Sequence, residues 1–260
     1  MSTFNNNYKR KINRHCIPTC NILGVNIATI NMAWLMEFTS KYIKDLSGDY
    51  LCVSNVHTTV IAWENEDYRE MQNGGIMAIP DGVPLAMISR RRGYTQTSRT
   101  DGPRYMLEVL KVSAERGYRH FFYGSTQETL DKIREVLERD YPGTTVVGMY
   151  SPPFRPLTEE EDKQVIAMLN EAKPDFIWVG LGAPKQECFM AVHQGKVHGL
   201  MVGIGAGFDY LAGSIRRAPM WMQEHSLEWF YRMIQEPKRL FWRYVRTNSI
   251  FIWQAFVKRR

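Results

Sequence analysis

Asp81 stands between Pro80 and Gly82, immediately after the apolar run GIMAI at 75–79. A carboxylate held on a tight turn at a strand end can take the proton from an attacking hydroxyl, a role worth about 10²- to 10⁴-fold in rate. The same residue can form an Asx-type turn that caps the next helix, and spacing alone favours that second reading. Asn55, at the end of LCVSNV (51–56), is ambiguous in the same way, because asparagine at a strand end also caps helices. Arg99 lies just before a helix that Pro103 can open. A guanidinium there could clamp a phosphate through two parallel hydrogen bonds, although taken alone it reads as a solvated loop charge.

Two glycine-rich segments add candidates. In Gly180-Leu181-Gly182-Ala183-Pro184-Lys185-Gln186-Glu187, a tight turn leads into a helix whose first backbone N–H groups, beside Lys185, suit a diphosphate or a nucleotide base. Gly203-Ile204-Gly205-Ala206-Gly207, followed by Phe208 and Asp209, has GxGxG spacing rather than the GxGxxG of dinucleotide loops, which makes an NAD-dependent oxidoreductase a weak reading. The six histidines are scattered away from any metal or triad spacing, and His57 reads as a helix-start residue.

These residues need elements to position them. Short apolar runs at 51–56, 75–79, 119–123, 144–149, 175–180 and 199–204 read as strands buried on both faces. Helical patterns fill the gaps, two of them opening with capping boxes, Ser125-x-x-Glu128 and Thr158-x-x-Glu161. Such alternation predicts an α/β fold, a Rossmann-like, mostly parallel sheet with helices on both faces, in which ligands sit beyond the carboxyl ends of the strands. Asn55, Asp81 and both glycine-rich segments fall at such ends. The expected organisation is a catalytic domain over 1–214 and a C-terminal helical appendage over 215–260.

Composition narrows the classes. With 260 residues and 44% hydrophobic content, the chain can bury a full core. No apolar run approaches the roughly 20 residues that span a bilayer, and the start MSTFNNNYKRKINRHC is too polar for a signal peptide, so a cytosolic location is expected. Cys16, Cys20, Cys52 and Cys188 lack the partners of a zinc site and read as reduced thiols. The net charge of +6 is unevenly spread: residues 215–260 hold ten Lys/Arg against three acids, leaving −1 for the remainder. Those basic residues interleave with Trp221, Trp229, Phe230, Phe241, Trp242 and Trp253, beside Met220, Met222, Leu227, Met233 and Ile234 at helical spacing. An apolar helix face flanked by cations suits an anionic membrane surface better than nucleic acid, which would need base-stacking platforms.

Taken in order, Asn55, Pro80-Asp81-Gly82, Arg99-x-x-Gly102, Val179 to Glu187, Gly205-Ala206-Gly207-Phe208-Asp209, and Arg217-Ala218-Pro219 through Leu227-Glu228-Trp229-Phe230-Tyr231-Arg232 to Glu236-Pro237-Lys238-Arg239 resemble the WecG/TagA/CpsF glycosyltransferases, glycosyltransferase family 26. The similarity runs from about Gly24 to Tyr244. It implies an inverting enzyme, independent of metal or other cofactor, that moves a sugar of the N-acetylmannosamine type, or glucose, from a UDP-sugar to a polyprenyl-diphosphate-linked saccharide. That reaction serves cell-surface polysaccharide synthesis at the inner face of the membrane, by a peripheral protein that self-associates in relatives. The resemblance assigns Asp81 as catalytic base and Asn55, Arg99 and Gln186 to the donor pocket. Gly182, Lys185, Glu187, Gly205 and Asp209 are candidates on the same loops, and Arg217, Arg232 and Arg239 would hold the acceptor's diphosphate. Relatives often carry threonine two residues before the asparagine; here that residue is Val53. The competing class is a nucleotide- or polyanion-binding protein without chemistry.

Overall fold

Strands that alternate between two apolar faces need cover on both sides, and the helices of this chain supply it. The structure, a computed structural model, describes residues 8–225 and 227–257, without the side chains of Met220, Glu224 and Phe256. It opens with β1 (Thr19–Ile22), β2 (Val25–Ala28), α1 (Met32–Tyr42), β3 (Tyr50–Ser54), α2 (Val56–Glu64), α3 (Glu66–Gly74), β4 (Met77–Pro80), α4 (Val83–Arg91) and α5 (Gly102–Arg116). It continues with β5 (Arg119–Gly124), α6 (Gln127–Asp140), β6 (Thr145–Tyr150), α7 (Glu159–Ala172), β7 (Phe176–Gly180), α8 (Lys185–His193), β8 (Leu200–Gly203) and α9 (Gly207–Leu211). The C-terminal helices are α10 (Met220–Glu224), α11 (Glu228–Gln235) and α12 (Pro237–Ile252).

The strands form one sheet in the order β1-β2-β4-β3-β8-β7-β5-β6. All pairings are parallel except β1 with β2, in keeping with the α/β reading. The β1–β2 hairpin was not expected; it turns through Leu23 and Gly24, both with positive φ (50° and 89°), as a two-residue hairpin requires. Two further expectations are corrected. Thr158 and Glu161 do form a capping box on α7, but α6 is capped by Thr126, which accepts from Thr129 N. Ser125 holds φ 61° and donates its N–H to the Gly180 carbonyl, a geometry outside the extended one an N-cap adopts. β6, expected to be buried on both faces, is a sheet edge, exposed at Thr145 and Val146 and half-buried from Val147 to Tyr150.

Successive strand residues feed two separate cores. Leu51, Val53, Ile79, Trp178 and Val202 pack with α1, α5, α6 and α9 on one face. Cys52, Ala78, Ile177, Val179 and Met201 pack with α2, α3, α4, α7 and α8 on the other. The neighbouring strands β3 and β8 therefore send their following helices, α2 and α9, to opposite faces. That divergence opens a crevice at their carboxyl ends, where open α/β sheets bind ligands.

The C-terminal helices return to this edge of the molecule. α12 lies along α2, burying Leu240, Thr247 and Phe251, with Arg246 paired to Glu64 at 2.7 Å. Its opposite side, with the exposed side of α11, presents Phe230, Ile234, Trp242, Val245 and Trp253 to solvent. Among the described residues no helix is long and apolar enough to cross a membrane, and all four cysteines are free. Lys258, Arg259 and Arg260 of the basic tail and the first seven residues lie outside the described residues, as do the side chains of Met220 and Phe256.

Candidate active site

Asp81 is fixed by its neighbour strand: its N–H donates to the Ser54 carbonyl at 2.9 Å, continuing the β3–β4 ladder by one residue. The turn reading of its side chain fails, because α4 is capped by Gly82 with no side-chain hydrogen bond. The carboxyl group thus stands unspent at the sheet edge. Asn55 does cap, forming a capping box with Thr58, and its remaining amide hydrogens reach Asp81 Oδ2 at a long 3.4 Å. Burial pushes the Asp81 pKa up to about 6; Arg99 opposes that shift, Asp101 and Glu228 add to it, and the Asn55 contact opposes it.

Arg99 donates from Nε to the Asp81 carbonyl at 2.9 Å and from Nη2 to Glu228, with Asp101 at 3.7 Å. Arg217 bonds Asp101 and lies 3.8 Å from Glu228. Two guanidiniums and two carboxylates therefore alternate in a ring that ties the loop before α5 to the C-terminal segment. Asp101 also caps α5. Beside the ring, the Tyr210 phenol is faced by Arg217 at 5.8 Å and Arg232 at 5.4 Å, distances at which guanidinium and aromatic ring attract. The Nε–H groups of both arginines are buried without a hydrogen bond, that of Arg217 keeping only its 3.8 Å ion pair with Glu228. Buried polar hydrogens are nearly always satisfied, so these two donors have hydrogen-bonding capacity to spare.

The opposite wall comes from β7 and β8. Gly182 and Gly205 hold left-handed backbone, φ 75° and 53°, which side chains rarely adopt. Gln186 is buried at the first turn of α8, where its Oε1 accepts from Gly205 N at 2.9 Å and its Nε2 donates to Glu187 at 2.9 Å. Because β4, β3, β8 and β7 are adjacent, Asp81, Asn55, Gly205 and Gly182 line one edge in that order, across roughly 14 Å at the usual strand spacing.

A model of the glycosyl transferase WecG/TagA/CpsF family matches residues 20–260 of the chain. The chain belongs to this family. It is similar to the N-acetylglucosaminyldiphosphoundecaprenol N-acetyl-beta-D-mannosaminyltransferase of Bacillus subtilis (strain 168), with 29% identity over 237 residues that cover 90% of this chain and 89% of the relative. Proteins of the same name from Bacillus spizizenii (27% identity, 81% and 80% covered) and Staphylococcus aureus strain MW2 (26%, 84% and 85%) are also similar.

Membership makes the chain a glycosyltransferase, and the readings as a binding module without chemistry or an NAD enzyme fall away. Within this WecG/TagA/CpsF enzyme the structure gathers Asp81, Asn55, Arg99 and Arg217 at one end of the crevice, with Arg232 adjoining through Tyr210. Asp209 lies beside them in α9; burial raises its pKa, which Arg232 and Arg239 counteract. Lys185 is exposed, Arg239 is mostly exposed and paired with Glu236, and Glu187 is wholly buried beneath the loops. Val53, where relatives often have threonine, points into the core; a Cβ added to Gly102 would stand 2.8 Å from its Cγ2. His57 faces α12, where burial, then Arg243 and Arg246, lower its pKa to about 4, so it remains neutral. Sequence reasoning missed Asp101, Tyr210 and Glu228. Asp101 carried a signal, as an aspartate directly before Gly-Pro at a helix start, whereas Tyr210 and Glu228 acquire their place only through tertiary packing.

Proposed function

We propose that the enzyme transfers N-acetylmannosamine, with inversion, from a UDP-linked donor to N-acetylglucosamine carried on a polyprenyl diphosphate, working at the inner face of the membrane for cell-surface polysaccharide synthesis. The activity for which the Bacillus and Staphylococcus relatives are named supports the sugar and the acceptor. The observation that carries the mechanism is the Asp81 carboxyl, free of capping duty at the end of β4 and flanked by Asn55 and Arg99.

The acceptor hydroxyl attacks the anomeric carbon from the side opposite the diphosphate, through a transition state with oxocarbenium character. Asp81 takes the hydroxyl proton as the new C–O bond forms, and the bond to the β-phosphate oxygen breaks with its electron pair leaving on UDP. A base with pKa near 6 is mostly ionised at pH 7 yet basic enough to accept a proton, which suits this task. The charge gathering on UDP is met by Arg99 and by the crevice-edge backbone N–H groups, with no divalent ion in the step. The orphaned donors of Arg217 and Arg232 serve the acceptor's diphosphate, so residues 215–260 act as an appendage that completes the site over the 1–214 catalytic domain.

The test is UDP release by purified enzyme given UDP-N-acetylmannosamine and a polyprenyl-diphosphate-N-acetylglucosamine acceptor, with and without EDTA. D81N should retain UDP binding and lose about 10²- to 10⁴-fold in kcat. Near wild-type turnover in D81N would remove the base assignment, and abolition of wild-type turnover by EDTA would remove the metal-free step.

A further inference from the structure

Below the crevice floor runs a chain of buried polar groups that the mechanism does not use. Ser54 Oγ donates to Gln72 Oε1 at 2.5 Å, and Gln72 Nε2 donates to the Tyr68 hydroxyl at 2.9 Å. The hydroxyl faces the Glu187 carboxyl, whose Oε1 accepts from Gln186 Nε2 at 2.9 Å, and Gln186 Oε1 accepts from Gly205 N at 2.9 Å. The five side chains are all nearly inaccessible, with exposures of 0% for Ser54, 1% for Gln72, 4% for Tyr68, 0% for Glu187 and 3% for Gln186.

The ends of this chain define its reach. Ser54 precedes Asn55 and accepts the Asp81 N–H through its carbonyl, while Gly205 lies in the loop after β8 on the far side of the β3–β8 divergence. A glutamate with no exposed surface is costly unless it is partnered, and Gln186 and Tyr68 supply the partners here. Glu187 Oε2 has no partner in bonding geometry and burial raises the pKa, so the carboxyl serves the chain as the acceptor that Oε1 offers to Gln186.

We propose that Glu187 is a positioning residue for donor binding: through Gln186 on one side and Tyr68 and Gln72 on the other, it sets the spacing of the two crevice walls that receive the nucleoside diphosphate. It touches no substrate itself. The proposal rests on the reading of the crevice as the UDP-sugar site.

Titration of the full-length enzyme with UDP in a calorimeter, beside steady-state kinetics and thermal unfolding, tests it. E187L should fold with a Tm a few degrees below wild type, bind UDP about tenfold more weakly and raise donor KM by a similar factor, with kcat little changed, since a buried acceptor has been withdrawn from Gln186. E187Q, which restores a neutral acceptor, should recover most of that loss. A folded E187L with wild-type UDP affinity overturns the proposal, as does an E187Q as weak as E187L. Should E187L not fold, Y68F removes one hydroxyl from the same chain and carries the same two outcomes. Wild-type enzyme that binds no UDP sinks the crevice reading itself, and this proposal with it.

Discussion

The surroundings of Asp81 fix the pH at which it works. Burial holds its pKa up to about 6 against the pull of Arg99, with Asp101 and Glu228 pushing the same way as burial and Asn55 opposing. A base accepts protons only when ionised, so activity should fall as pH drops through about 6 and level off above it, on the limb that belongs to Asp81. E228Q removes one like charge from the cluster, lowering the Asp81 pKa, and the acid limb of kcat/KM should move to lower pH. A kcat/KM profile for E228Q that overlays wild type would show that Glu228 exerts no field on the base.

At the level of elements, the short α2 carries two duties at its first residue. Asn55 caps the helix through Thr58 and also reaches Asp81, and substitution can separate the two. N55A should lose the cap, costing about 1 kcal/mol, and lower Tm by roughly 2–4 °C in a chain of this size. N55D keeps the cap and so the Tm, but sets a second carboxylate beside Asp81; its activity near pH 6–7 should fall through a raised Asp81 pKa. Equal Tm in N55A and wild type, by scanning calorimetry, would deny the cap its structural weight. Strands β3, β4, β5, β7 and β8 were legible because their doubly buried runs leave no polar alternation, and the ends of β3, β4, β7 and β8 carried Asn55, Asp81, Gly182 and Gly205 into one edge by topology alone. The β1–β2 hairpin was not, since its turn uses Leu23 where the readable signal would be Asn-Gly or Asp-Gly. Ser125 misled for a similar reason: the pattern of a capping box was present, but the approach of β5 to Gly180 imposed a backbone that only the next residue could use. The carboxylates of the ring were illegible as a site because Asp101 and Glu228 are 127 positions apart in sequence and meet only when α11 folds over the crevice.

At the scale of the whole molecule, one segment faces two ways. Arg217 and Arg232 turn toward Tyr210 and the Asp81 end of the crevice, while Trp221, Trp242 and Trp253, 53–75% exposed, turn outward among Arg216, Lys238 and Arg246. Unburied tryptophans on packed helices are unfavourable in water and favourable at a lipid headgroup boundary, where nearby cations add about 1 kcal/mol each on an anionic surface. Docking by this face would bring the orphaned arginine donors to the depth of a lipid-linked diphosphate, coupling membrane contact to assembly of the acceptor site. Binding to phosphatidylglycerol-containing vesicles should therefore weaken as salt rises and screens the cations. The W242S/W253S double variant should lose about two orders of magnitude in partitioning, taking about 1.5 kcal/mol or more per tryptophan. Turnover of a short-chain, water-soluble acceptor should be unchanged in that variant, because neither tryptophan takes part in the hydrogen bonds or ion pairs of the crevice. Vesicle sedimentation of the double variant equal to wild type would show that the outward aromatic face is not the membrane contact, and the coupling between docking and the acceptor arginines would then have to run through another surface.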